Sequence, residues 1–293
     1  MIIRLFFITI FYSIFFLNNS FAANIEQEMN KAVERLNELY NSHTSACVVY
    51  LNLESPASDC SGIFIHGMEP GQTHIWIPDQ SDPRKAVSFS YLRSDIPTNQ
   101  LFSPNGFIYD QTSQDPKKKK LKLYCFYPFD AFSDNSETHP YTSHGCGLTN
   151  TPFPSQLSGD YESCSSASVT TADQWIQKYL PEQKPSFIVD DSCSFSPNQI
   201  NSFLEVLKIQ QETQSPYWNE LITEMWSFSE AEHLPILAFF YQKGNEDGRV
   251  EAFFQQQDYC QNYKKFVPVV ALDLNAGSSN AFSGNLSEQS ACK

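Results

Sequence analysis

Basic residues are scarce in this chain: Lys plus Arg number 19 against 33 Asp plus Glu, a formal net charge of −14. A broad basic surface that could track phosphates is therefore missing, which excludes the common modes of nucleic-acid binding. Beyond residue 22 no apolar run approaches the ~18 to 20 residues a membrane-spanning helix needs, so no stable membrane association is expected. The sequence contains no G-x-S-x-G, no H-E-x-x-H, no Walker loop and no G-x-G-x-x-G. The reactions those motifs serve lose their usual support. None of the cysteines stands in a C-x-x-C pair, which removes the thioredoxin-like and zinc-ribbon readings as well.

What is present is a chain of 293 residues, 41% hydrophobic and 14% aromatic, enough for a sizeable core. Its first 22 residues form a separate unit. Arg4 supplies a positive start, Leu5 to Leu17 is an apolar run of about 13 residues, and Ser20-Phe21-Ala22 offers small residues where a signal peptidase cuts. A secretory signal peptide over 1–22 is predicted, with the mature, acidic protein beginning near Ala23 and residing in the periplasm or outside the cell. All eight cysteines lie beyond that point, as expected of an exported protein held by disulfides. Short separations make Cys47 with Cys60 and Cys146 with Cys164 the natural local staples.

Residues 25–41 place Ile25, Met29, Val33, Leu36, Leu39 and Tyr40 at helical spacing, which predicts an N-terminal helix. From Cys47 the texture becomes strand-like: ACVVYLNL, SGIFIHG, HIWIP, AVSFSYL, GFIYD and LKLYCFYPF, divided by Pro, Gly, Asp and Asn. Lys117 to Lys120 reads as a solvated hairpin tip between two of these strands. Residues 133–166 carry no periodicity and read as a long disulfide-pinned loop. Thr170 or Thr171 can cap a helix over DQWIQKYL, and Ser196-Pro197-Asn198-Gln199 looks like a capping box before INSFLEVLKIQQE. NELITEMW and RVEAFFQQQDYC fit a helix or a strand, whereas HLPILAFFYQKG and FVPVVALDLN read as strands. The stretch 275–293 reads as a flexible tail tied down by Cys292. The simplest architecture is a single α+β domain over 23–293, strand-rich, disulfide-stabilised and flanked by helices.

His139, His144 and Cys146 have metal-ligand residue types, but a thiolate ligand competes with disulfide formation outside the cytosol and a fourth ligand is not evident. No metal is expected. A second constellation is more suggestive. Ile65-His66-Gly67 ends one predicted strand, Val87-Ser88-Phe89-Ser90-Tyr91 forms another, and Asn219-Glu220-Leu221-Ile222 follows much later. Each has an ordinary reading: a turn histidine, a half-buried strand, a surface acid.

Their order resembles that of the ADP-ribosyltransferase superfamily, in which a strand ends in Arg or His before Gly, a second carries Ser-x-Ser, and a late strand carries Glu before two aliphatic residues. Further stretches, Leu92 to Asp95, Asn105 to Tyr109, Tyr124 to Ala131, Gly145-Cys146-Gly147, Leu234 to Tyr241 and Val267 to Val270, are similar to the secreted halovibrin group. The resemblance implies a split β-sheet core and a toxin-like enzyme that cleaves the nicotinamide–ribose bond of NAD. Under it NAD is a substrate rather than a cofactor, and a protein acceptor is needed only for transfer. It makes Glu220 the catalytic carboxylate and His66, Gly67, Ser88, Ser90 and Tyr91 the NAD-binding residues. Tyr91 or Trp76 would stack on nicotinamide, and His66 would meet the adenosine ribose or a phosphate.

The chemistry suits a carboxylate, because cleavage passes through an oxocarbenium-like ribose. A charge pair at about 4 Å and an effective dielectric of about 20 is worth about 4 kcal/mol, or roughly three powers of ten in rate. Arginine-directed transferases carry an acid two residues before that glutamate; Trp218 stands here, which favours water or a non-arginine acceptor, and so a glycohydrolase over an arginine transferase. Two other classes fit the composition: a secreted binding or virulence-associated module without catalysis, and an unrelated secreted hydrolase using Ser or His.

Overall fold

The computed structural model describes residues 23–43, 61–68, 74, 76–78, 86–96, 98, 100–110, 113, 115–129, 164–165, 167–180, 193–195, 200–214, 218–275, 280–286, 289 and 292. The predicted signal peptide, the strand ACVVYLNL, the loop 133–163, the capping box at 196–199, and Cys47, Cys60, His139, His144 and Cys146 lie outside them.

The body is a mixed α+β fold around one eight-stranded sheet. In chain order come helix α1 (residues 23–41), β1 (Ile63–Gly67), β2 (Ala86–Leu92), β3 (Asn105–Tyr109), β4 (Leu123–Tyr127), α2 (Ala172–Tyr179) and α3 (Ile200–Thr213). After them come β5 (Glu220–Glu224), α4 (Phe228–Ala231), β6 (Ile236–Gln242), α5 (Glu246–Tyr263), β7 (Val269–Leu272) and β8 (Phe282–Gly284). Across the sheet the order is β4-β5-β2-β1-β3-β6-β7-β8, antiparallel except for β6 beside β7.

Alternation along each strand gives the sheet two apolar faces. One carries Phe64, Val87, Phe89, Tyr91, Phe107, Leu221 and Phe239, and is covered by α2, α3 and α5 through Trp175, Phe203, Val206, Ala252 and Tyr259. The other carries Ile63, Ile65, Ile108, Ala238, Phe240 and Val270, covered by Leu36, Leu39 and Tyr40 of α1. The helical spacing read from residues 25–41 thus becomes a packed stripe.

Both ambiguous segments resolve. NELITEMW contributes β5, because its Leu221 is needed on the α3 side while Glu220 and Ile222 face the opposite way. RVEAFFQQQDYC lies in α5: the Asn245 side chain accepts from the Gly248 N–H at 2.7 Å, Glu246 and Asp247 occupy the first turn, and Ala252, Gln255, Gln256, Tyr259 and Cys260 are buried. Of the two threonines that could cap α2 it is Thr171 that does, in a reciprocal box with Gln174.

Four expectations are corrected. HIWIP is not a strand in its described residues: His74 sits at φ 56°, the Ile77 N–H closes a turn on the His74 carbonyl, and Trp76 is buried by packing, not by pairing. Lys117 to Lys120 is not a hairpin tip, since β3 and β4 are not sheet neighbours; the segment docks on the α4 region through Lys119 Nζ to Glu230 at 2.8 Å and Lys119 N–H to the His233 carbonyl. Cys164 bonds to Cys193, not Cys146, because the strand-like run at Ser194 and Phe195 brings Cys193 alongside it. The supposed tail places β8 on β7 and bonds Cys292 to Cys260 of α5. Cys125 is also disulfide-bonded. No helix among the described residues is long and apolar enough to cross a membrane.

Candidate functional site

Strand β2 is shared between two half-ladders. Its first half, Ala86 to Phe89, pairs with β5, and its second half, Ser90 to Leu92, pairs with β1. Beyond Ile65–Ser90 strand β1 leaves β2, and before Phe89–Leu221 strand β5 has barely begun. Main-chain groups of β2 would lose ladder partners at both places, and buried groups of that kind must be satisfied another way.

Side chains satisfy both. His66 Nδ1 lies 2.7 Å from the Ser88 carbonyl oxygen. A carbonyl only accepts, so the ring hydrogen sits on Nδ1 and Nε2 carries the lone pair. On the other edge the Asn219 amide pairs with Tyr91 twice, accepting its N–H at 2.7 Å and donating to its carbonyl at 2.9 Å. The second Nδ2 hydrogen goes to Gln210 Oε1 of α3 at 2.7 Å, and both Asn219 and Gln210 are fully buried.

Between these two substitutions stands Glu220, the first residue of β5, only 2% exposed. The Ser88 hydroxyl donates to its Oε1. Register puts Ser88 opposite Ile222, and Ser90 opposite Ile65, so Ser88, Ser90 and Glu220 share the sheet face on which α1 lies. The His66 ring belongs to the other face, packed against Phe89, Phe107 and Trp226 at centroid distances of 5.3, 5.2 and 6.2 Å. Burial there lowers its pKa to about 4, against the opposing pull of the Ser88 carbonyl, so the ring is neutral near pH 7.

Gly67, next on β1, lies against the loop before β3. A Cβ at this position would stand 3.0 Å from Ser103 Cβ and 3.6 Å from Phe102 Cδ1. Phe102 is 60% exposed, and its ring meets that of Trp218 at 6.2 Å in an edge-on arrangement. The two aromatics therefore connect the Gly67 end of β1 with the chain entering β5.

Of the residues read from the sequence, Ser88 and Glu220 meet directly, Ser90 shares their face, His66 joins through the Ser88 carbonyl, and Gly67 borders Phe102. Tyr91 does not join them by its ring. That ring is fully buried between Phe64 and Phe203, its hydroxyl donates to the Ser61 carbonyl at 2.8 Å, and burial pushes its pKa up to about 12. Trp76 is likewise sealed in the core, its ring packed against those of His74, Tyr259 and Tyr263. Neither can stack on a ligand. Sequence reasoning missed Asn219, Gln210 and Phe102, although an exposed phenylalanine in S-P-N-G context is a signal of its own.

Among the described residues no cluster of His, Cys, Asp and Glu could hold a metal ion. No family model matches the chain, and no curated protein is a match to it.

Proposed function

We propose that the chain is a secreted, toxin-like enzyme of the ADP-ribosyltransferase type that cleaves the nicotinamide–ribose bond of NAD, with water as the acceptor. The observation that carries this reading is the hydrogen bond from the Ser88 hydroxyl to the buried Glu220 carboxylate, one strand from His66. His66, Ser88 and Glu220, spread over more than 150 positions in sequence, lie on the three adjacent strands β1, β2 and β5, which supports the order the resemblance implies.

In this reading Glu220 faces the ribose as its bond to nicotinamide stretches and positive charge grows on the sugar. A carboxylate buried to 2% exposure and held by a hydroxyl needs little reorganisation at that moment, which is where electrostatic catalysis gains most. Ser88 fixes the carboxylate rotamer. His66 holds the β2 main chain at Ser88 from the opposite face of the sheet, its ring packed among Phe89, Phe107 and Trp226. Phe102 and Trp218 replace Tyr91 and Trp76 as the aromatic surface for a flat ring. Trp218 also occupies the place two residues before Glu220 where an arginine-directed transferase has an acid, which supports hydrolysis over transfer.

The disulfides Cys164–Cys193 and Cys260–Cys292 support an oxidising compartment, in keeping with the signal-like residues 1–22. The deciding experiment is nicotinamide release from NAD by the oxidised protein beside Glu220→Gln. Release that falls about 100-fold or more in a folded variant supports the reading. A folded wild type that releases none returns the chain to a secreted binding module.

A further inference from the structure

We propose that Asn219 is a positioning residue for the reaction: its side-chain amide sets where β5 begins and thereby where the Glu220 carboxylate stands. The proposal rests on Glu220 being the reacting group.

The first residue of a strand is ordinarily its loosest, because only one side of it is held by the ladder. Glu220 occupies that position: β4 holds it on one side through the Tyr127–Glu220 pair, but on the β2 side the register of β5 reaches no further than Phe89–Leu221. Asn219 supplies the missing rung. Its amide has the same acceptor and donor as a peptide unit and uses both on Tyr91, at 2.7 and 2.9 Å. Glu220 is thus clamped to β2 from both sides, by Leu221 after it and by the Asn219 side chain before it. Gln210 takes the remaining Nδ2 hydrogen at 2.7 Å, so α3 fixes the plane of the amide. Ser88, the partner of the carboxylate, is on the same strand as Tyr91, so the clamp and the hydroxyl are referred to one rigid element.

The same device recurs elsewhere. Asn37 of α1 accepts the Phe282 N–H at 3.0 Å and donates to its carbonyl at 2.9 Å, and Gln289 does the same to Val269 at 3.0 and 2.9 Å. Those two amides only fasten β8 and β7. They provide a control that removes equal bonding far from Glu220.

The test compares Asn219→Ala, Gln210→Met and Asn37→Ala in nicotinamide release, with thermal unfolding of each. Positioning predicts that Asn219→Ala lowers kcat by about 10- to 100-fold with KM within about twofold, since a misplacement on the order of 1 Å has that effect. Gln210→Met keeps both bonds to Tyr91, so it folds, and it loses kcat by about threefold as the amide plane loosens. Asn37→Ala lowers the melting temperature with kcat unchanged. Wild-type kcat in folded Asn219→Ala overturns the proposal, and if that variant fails to fold, wild-type kcat in Gln210→Met does so instead. Equal kcat losses in Asn219→Ala and Asn37→Ala also overturn it, because they would mark a general stability effect. The underlying reading fails separately, by an active Glu220→Gln.

Discussion

The Ser88 hydroxyl donates to Oε1 of Glu220 across the junction of β2 and β5, and the same Ser88 gives its carbonyl to His66 Nδ1. One residue therefore ties the carboxylate to the histidine, its side chain serving one face of the sheet and its main chain the seam. Removing the hydroxyl leaves the main-chain contact intact. Ser88→Ala is expected to lower kcat for NAD cleavage by about tenfold with little change in melting temperature, while Glu220→Gln lowers it by about 100-fold or more. Steady-state kinetics with circular dichroism as the folding check decides this. Equal kcat for Ser88→Ala and wild type would remove Ser88 from the site.

The neutral, half-buried His66 makes a prediction about pH. Its folded pKa is about 4 and its unfolded value about 6.5, so the unfolded state binds the proton first as pH falls. The stabilisation is fully present above about pH 6.5 and is lost progressively down to about pH 4, on the order of 3 kcal/mol in all. Urea unfolding at pH 7 and pH 5, on wild type and His66→Gln, measures it. The variant should be less stable at pH 7, and its stability should fall less between the two pH values. Parallel slopes would contradict the burial argument.

Much of the fold was legible because its signals are local. The spacing of Met29, Leu36 and Leu39, the alternation of Val87, Phe89 and Tyr91, and the Thr171 cap each state their structure within a few residues. The errors came where an apolar pattern has two causes. Trp76 is buried by a cluster of rings rather than by a strand, and β8 has only Phe282 and its pairing with β7 to announce it. For the site, residue types and order pointed to Glu220, Ser88 and His66, but the direction of each side chain depends on register. Tyr91 and Ser90 are adjacent in sequence and point to opposite faces, so one belongs to the core and the other borders the carboxylate. The roles of Asn219 and Gln210 were illegible, since an amide that completes a ladder is chemically no different from one on the surface.

Oxidation is expected to be a condition of activity. Cys164–Cys193 closes a separation of 29 residues and joins the entry of α2 to the Ser194–Phe195 bridge, and Cys260–Cys292 fastens the C-terminal segment to α5. A disulfide spanning such a loop is worth about 2 to 4 kcal/mol. Protein reduced and alkylated under native conditions should melt well below the oxidised form and release nicotinamide at a small fraction of its rate. A reduced preparation of undiminished activity would detach export and oxidation from function.

Phe102 and Trp218 make the last prediction, because they are the aromatic surface beside Gly67 that remains accessible once Tyr91 and Trp76 are assigned to the core. An aromatic contact with a flat ring contributes about 1 kcal/mol, a factor of about five in affinity. Phe102→Ala should therefore raise KM for NAD by about fivefold and leave kcat within about twofold, since the contact is made equally in the ground and transition states. Fluorescence supplies a reading that needs no turnover. The chain has 4 tryptophans, and Trp76, Trp175 and Trp226 are fully buried, so quenching by added nicotinamide reports on Trp218. Saturable quenching in Glu220→Gln that is lost in Trp218→Phe places the ring there. Linear, non-saturating quenching in both would show that the pair is only a surface contact between two loops.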